Sequence, residues 1–179
     1  MKFPVIGFAG RAGTGKDAAA SFAIAAFGGY RYAFADPVRA MLRAGFGLDL
    51  LDPYWQTHKE DPIPAFGGKS PRQLMQTLGT EWGQDLVHPH IWVILATGVL
   101  RQRGRGMVVS DVRFEHEARW VRTMGGLIVH IDRPAKEVNA HRSEDGIAVA
   151  EKDAKVSNTG TLDEYQKAVI AAIDGSPQT

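Results

Sequence analysis

Three glycines and a lysine near the start of the chain constrain its fold more than any other feature. Gly10-Arg11-Ala12-Gly13-Thr14-Gly15-Lys16 satisfies the pattern G-x-x-x-x-G-K. An apolar run, Phe3–Ala9, leads into it with the composition of a strand buried on both faces. An alanine-rich stretch, Lys16–Phe27, leads out of it as a predicted helix that Gly28-Gly29 stops. Glycines in such a turn let backbone N–H groups converge on phosphate oxygens, and the positive end of the helix dipole adds to the attraction. The spacing therefore predicts a nucleoside triphosphate site formed by Gly13, Thr14, Gly15, Lys16, Asp17 and Ala18, with Lys16 reaching the β- and γ-phosphates.

One position departs from the usual pattern. Asp17 stands where a serine or threonine normally ligates Mg²⁺. A carboxylate is also a hard oxygen ligand, so Asp17 is the candidate metal ligand, directly or through water. An acid in the first turn also favours the helix dipole, and the two roles are compatible.

The rest of the chain alternates apolar strands with helices. Predicted strands are Tyr30–Ala35, Met107–Ser110 (ending at Asp111) and Leu127–Ile131. Predicted helices are Pro37–Ala44, one opened by Ser70-Pro71, one opened by Pro89, Phe114–Met124, and a last one capped by Thr161 and Glu164. The face of the Ser70 helix is Leu74, Met75, Leu78 and Trp82, and the last helix is expected to bury Leu162, Tyr165, Val169 and Ile173. This alternation predicts an α/β fold, a mostly parallel sheet with helices on both faces. Residues 45–69 and 133–155 read as two excursions from one core, so residues 1–179 are expected to form a single domain.

Composition narrows the function classes. Of 179 residues, 44% are hydrophobic and 23% charged, with a net charge of +1, so no global field points to a nucleic acid or a membrane. The longest apolar run, Ile91–Leu100, is too short to span a bilayer. Cysteine is absent, which excludes a disulfide framework and suits a reducing cytoplasm, the expected location. His88-Pro89-His90 lacks a third metal ligand, and Arg101, Arg103 and Arg105 read as a solvated turn.

Several blocks match a known family in order and spacing. They are Gly10–Phe22 with its G-K-D ending, YAFADPVRAML at Tyr32–Leu42, SPRQLMQTLGTEWGQDLVHPHIWVIL at Ser70–Leu95, MVVSDVRFEHEARWVRTMGGLIVHIDRP at Met107–Pro134, HRSEDG at His141–Gly146 and SNTGTLDEY at Ser157–Tyr165. Through them the chain resembles the deoxynucleoside monophosphate kinases of tailed bacteriophages, a branch of P-loop kinases. The resemblance implies a P-loop kinase fold with a substrate-binding excursion and a lid. It implies ATP and Mg²⁺ as cofactors, a deoxynucleotide as the acceptor, and a homodimer. It assigns Arg39, Arg72, Gly79, Trp92, Asp111 and Glu115 to the monophosphate pocket. Ala12 departs from relatives that carry a basic residue there.

The chemistry agrees with such a role. Phosphoryl transfer needs positioning and charge neutralisation more than covalent catalysis. Arginine suits this because its planar fork binds phosphate bidentately. Beside Lys16, the candidates for the transfer step are Arg113, Arg133 and Arg142. Arg113 follows a strand, where open α/β sheets place ligands, or else pairs with Glu115 or Glu117. Arg133 and Arg142 flank the second excursion, read as a lid that excludes water or as solvated loop. By residue chemistry alone Arg72 reads equally as phosphate ligand and as surface arginine. The alternatives to a deoxynucleotide kinase are a dephospho-coenzyme A or phosphomevalonate type of kinase, and a non-catalytic nucleotide-binding module.

Overall fold

A computed structural model describes residues 2–134 and 146–176. Arg142 and the middle of the second excursion lie outside these residues. By the density of its contacts the chain forms two compact units, one of Met1–Ala33 with Leu95–Thr179 and the other of Phe34–Ile94.

The first unit is built on five parallel strands in the order β2-β3-β1-β4-β5. They are β1 (Val5–Ala9), β2 (Tyr30–Tyr32), β3 (Met107–Val112), β4 (Leu127–Asp132) and β5 (Ala154–Ser157). Parallel strands need helical crossovers, and these cover the sheet on both sides. Ile6, Phe8, Val108, Leu127, Val129 and Ile131 pack against α1 (Lys16–Phe27) and α7 (Leu162–Gly175) through Ala19, Ala20, Ala23, Tyr165, Val169 and Ile173. Gly7 faces the other way. A methyl group there would meet Ile128, Val112 and Val121, the last on α6 (Glu115–Thr123).

β3 carries one irregularity that matters later. Gly7 pairs with Val109 and Ala9 with Val112, so two residues of β1 span three of β3. Val108 therefore faces α1 while Val112, an even number of residues on, faces α6. The extra residue is a β-bulge at Ser110–Asp111, and bulges re-aim side chains at strand ends.

Two features depart from the sequence expectation in this unit. The excursion expected over 133–155 ends earlier, because Ala154 and Lys155 open β5, a short edge strand in which only Val156 is buried, too little for an alternation signal. Leu162 is largely exposed: it is the first residue of α7, and burial of that helix begins a turn later at Tyr165.

The second unit holds α2 (Asp36–Phe46), a short helix α3 (Pro53–Thr57) and α4 (Pro71–Gln76). Ser70 caps α4 as its sequence predicts, and the structure adds a reciprocal bond from Gln73 that completes a capping box. The helix then continues as eleven residues of π-helix, Thr77–Val87, rather than at the regular 3.6-residue period. The next helix, α5 (Ile91–Arg103), begins in this unit and ends in the first. Gly83 is where α5 and the π-helix meet. A Cβ there would collide with the ring of Trp92, so only glycine admits the indole.

Candidate active site

The glycine-rich turn has the geometry its spacing predicts. Gly10, Gly13 and Gly15 have φ of 146°, 76° and 101°, values that L-residues with a side chain rarely adopt. A methyl on Gly10 would lie 2.5 Å from the Ile131 carbonyl oxygen, so the loop also presses on β4. Nothing lies within 4 Å of a methyl built on Gly13, leaving that side of the loop open to a ligand. Thr14 turns inward, its hydroxyl donating to the Arg11 carbonyl at 2.9 Å.

Lys16 opens α1 and is only 8% exposed. Its ammonium donates to the carbonyls of Gly10 at 2.7 Å and Arg11 at 2.6 Å. The cation is thus held over the loop itself. Asp17 points outward, with its side chain 81% exposed and Oδ1 3.2 Å from the Arg31 guanidinium on β2. Ala18, the last residue of the predicted set, is half-buried in the first turn of α1.

The parallel sheet gathers further charged residues on this edge. The pairing of Ala9 with both Val112 and His130 aligns the C-terminal ends of β1, β3 and β4. Asp111 and Arg113 follow from β3 and Arg133 from β4, so they share the edge at which open α/β sheets bind ligands. Arg133 lies close enough to Tyr165 for its charge to oppose the rise of that phenol, which burial pushes up to about 12. Tyr165 in turn donates to the Gly15 carbonyl at 3.1 Å, which ties Arg133 to the neighbourhood of the loop.

Glu115 stands at the start of α6. Its Oε1 accepts from the Ala148 N–H, and its Oε2 lies 3.8 Å from Arg122. Arg122 also grips Asp153 at 2.6 Å, and His130 reaches the same carboxylate at 2.9 Å. Glu115 therefore belongs to a clasp that holds the described end of the second excursion against α6 and β4. Asp153 is buried, which disfavours its charge, but its hydrogen bonds and the guanidinium outweigh this and hold its carboxyl below the usual range.

Glu117, expected only as an ion-pair partner of Arg113, has a larger part. Glu117 is fully buried and its Oε2 accepts from the N–H groups of Arg113 at 2.7 Å and Phe114 at 3.1 Å. It thereby fixes the turn that carries Asp111 and Arg113. Burial, with the nearby Asp111 charge, pushes its carboxyl up to about 8. The DVRFEHE run inside the Met107–Pro134 block carries no sign that Glu117 turns inward.

In the second unit, Arg39 on α2 donates to Asp36 at 2.6 Å, one turn back on the same helix. Arg72, in the first turn of α4, pairs with Glu60, and its N–H donates to the Lys59 carbonyl at 2.9 Å. Gly79 and Trp92 are brought together: the indole N–H donates to the Gly79 carbonyl at 2.7 Å, and the ring is buried. That buried indole braces the π-helix against α5.

A parallel 2-3-1-4-5 sheet whose first strand enters a left-handed glycine loop, with the following lysine over it, defines a P-loop kinase. The solved structure of shikimate kinase from Aquifex aeolicus vf5 shares this fold, with a TM-score of 0.55 and 14% identity over 96% of both chains. The profile of the family described as deoxynucleotide monophosphate kinase matches residues 67–169. The chain belongs to that family. A provisionally named deoxynucleotide monophosphate kinase of Acanthamoeba polyphaga mimivirus is 29% identical, with 97% of this chain and 98% of that protein aligned. The deoxynucleotide monophosphate kinase of Escherichia phage RB69 is 30% identical over 78% of this chain, which spans about half (53%) of the phage protein's length.

Proposed function

We infer that the protein transfers the γ-phosphoryl group of ATP to a deoxynucleoside monophosphate, giving the diphosphate and ADP. The observation that carries this reading is the open glycine loop with Lys16 above it, in a chain of the deoxynucleotide monophosphate kinase family. In this reading the two compact units act as one kinase domain: the loop unit takes ATP and the unit at 34–94 takes the acceptor through Arg39 and Arg72.

The reaction asks little of the protein in proton transfer. The acceptor oxygen belongs to a phosphate monoester whose second pKa is about 6, so it is largely deprotonated at pH 7. That oxygen forms the new bond to the γ-phosphorus as the bond from γ-phosphorus to the β–γ bridging oxygen breaks, and ADP leaves with the electron pair. No general base is needed. Lys16 exchanges its two loop carbonyls for β- and γ-phosphate oxygens, and Arg113 and Arg133 supply positive charge from the same sheet edge. Arg142 belongs to the same set by motif.

Magnesium is the expected companion of ATP, and it neutralises phosphate charge when bound. Asp17 fits it as an exposed hard donor next to Lys16. Among the described residues no cluster of three His, Asp or Glu side chains forms a metal cage. One carboxylate suffices, because Mg²⁺ is commonly held by one or two carboxylates with substrate phosphates and water.

The test is to incubate the protein with ATP, Mg²⁺ and a panel of deoxynucleoside monophosphates, ribonucleoside monophosphates and dephospho-coenzyme A, and to follow ADP release. Acceptor-dependent ADP with a deoxynucleotide is expected. ADP release with none of them would overturn the kinase reading, and turnover with only the coenzyme A precursor would overturn the choice of acceptor.

A further inference from the structure

The conformation of the phosphate loop is held from outside the loop. Two of its carbonyls are engaged by side chains about 150 residues away in sequence. The Asn158 amide donates to the Thr14 carbonyl at 2.8 Å, and the Tyr165 hydroxyl donates to the Gly15 carbonyl at 3.1 Å. Neither contact is required by the glycine-lysine pattern, and neither residue touches Lys16 or Asp17 in these bonds.

The consequence follows from peptide geometry. A trans peptide points its C=O and its N–H in opposite directions. Fixing the Thr14 carbonyl toward Asn158 turns the Gly15 N–H away from it. Fixing the Gly15 carbonyl toward Tyr165, and toward the Ala19 N–H at 3.0 Å, does the same for the Lys16 N–H. These are the N–H groups at the N-terminus of α1 that an anion meets.

The two donors are themselves well fixed. Asn158 follows β5 directly, and its own N–H donates to the Asp132 carbonyl at the end of β4 at 2.7 Å. Facing a carbonyl, its amide must present nitrogen rather than oxygen. Tyr165 is 2% exposed and its ring meets Phe22 of α1 edge-on at 5.8 Å. Because burial pushes its phenol up to about 12, the hydroxyl keeps its proton and stays a donor. The fit is tight: a methyl on Gly15 would lie 2.6 Å from the Asn158 amide nitrogen.

We propose that Asn158 and Tyr165 are positioning residues for the phosphate loop, which aim the Gly15 and Lys16 N–H groups at the triphosphate of ATP and so set its affinity. This rests on the reading of the loop as the ATP site. It couples that site to β5 and α7, which carry the two donors. A loop free to rotate these peptides must order them on binding, and each bond to a charged phosphate is worth on the order of 10- to 100-fold in affinity.

The experiment measures ATP affinity by calorimetry, the KM values for ATP and for the deoxynucleotide, and the melting temperature, in wild type, Asn158→Ala, Tyr165→Phe and the double variant. Tyr165→Phe keeps the ring and its packing, so its fold is preserved, and Ala19 still holds the Gly15 carbonyl. The larger loss is expected in Asn158→Ala, about 10-fold or more in ATP affinity, with an unchanged KM for the deoxynucleotide. Tyr165→Phe is expected to lose a few-fold, and the double variant more than either. Unchanged ATP affinity in folded Asn158→Ala and in the double variant, with only a lower melting temperature, would overturn the proposal, since a merely structural role moves stability alone. A wild type that binds no ATP would instead overturn the reading of the loop on which the proposal rests.

Discussion

Replacing Glu117 by glutamine should flatten the pH dependence of the protein's stability. In the folded state the carboxyl is driven up to about 8 by burial and by Asp111, while its ordinary value is 4.5. The folded protein therefore binds the proton more tightly than the unfolded chain does. Stability from this group is fully present below pH 4.5 and is lost as pH rises toward 8. The change in proton affinity exceeds a thousandfold, and at ~1.4 kcal/mol per tenfold the loss is on the order of 4 kcal/mol. The geometry explains why glutamine is the right probe. Both backbone N–H groups, of Arg113 and Phe114, donate to Oε2, so Oε1 is the oxygen left to carry the proton. A glutamine keeps an oxygen for the two N–H groups and puts an NH₂ where the acid proton sits. Thermal unfolding from pH 5 to pH 8.5 should show the wild type losing ~10 °C relative to Glu117→Gln, at roughly 2–4 °C per kcal/mol for a chain of this size. The other titrating groups are common to both proteins and cancel in the difference. Asp111→Asn should shrink the wild-type loss, because the Asp111 charge is part of its cause. Parallel pH profiles for wild type and Glu117→Gln would refute the argument.

Two other outcomes follow from the geometry. Lys16→Ala should abolish acceptor-dependent ADP release while circular dichroism stays that of the wild type, because its ammonium donates to carbonyls of the loop at the start of α1; full activity would exclude its role at the β- and γ-phosphates. Gly83→Ala should lower stability by about 1–3 kcal/mol in thermal unfolding, since its methyl would overlap the Trp92 ring in a packed junction, and a gain from better helix propensity would refute that packing.

The features legible in the sequence are those made by neighbouring residues. The strand–glycine–lysine–helix order at the N-terminus predicts its own conformation, because only glycine tolerates the φ values the turn needs and because the helix must begin where they end. The N-cap at Ser70 and the Thr161–Glu164 box are local for the same reason, and both form. The alternation of apolar strands and helices then leaves little choice beyond a parallel sheet covered on both sides.

Long-range geometry decided the rest. The π-helix at Thr77–Val87 has no signature of its own in the spacing of its apolar residues, and the indole of Trp92 seated on Gly83 accompanies the change of period. Glu117 looks like any helix-surface acid until the bulge at Ser110–Asp111 and the turn after β3 bring two backbone N–H groups to it. Tyr165 was identifiable as a core residue by its spacing, but not its hydroxyl's partner, which lies at the other end of the chain. By itself the sequence of Gly10–Lys16 determined the conformation of the turn, since the φ values it needs belong to its own glycines. Which way its N–H groups are held, and which acids and arginines share its edge of the sheet, was decided by the parallel pairing of β1, β3, β4 and β5, because only tertiary packing brings residues so far apart in the chain within hydrogen-bonding reach.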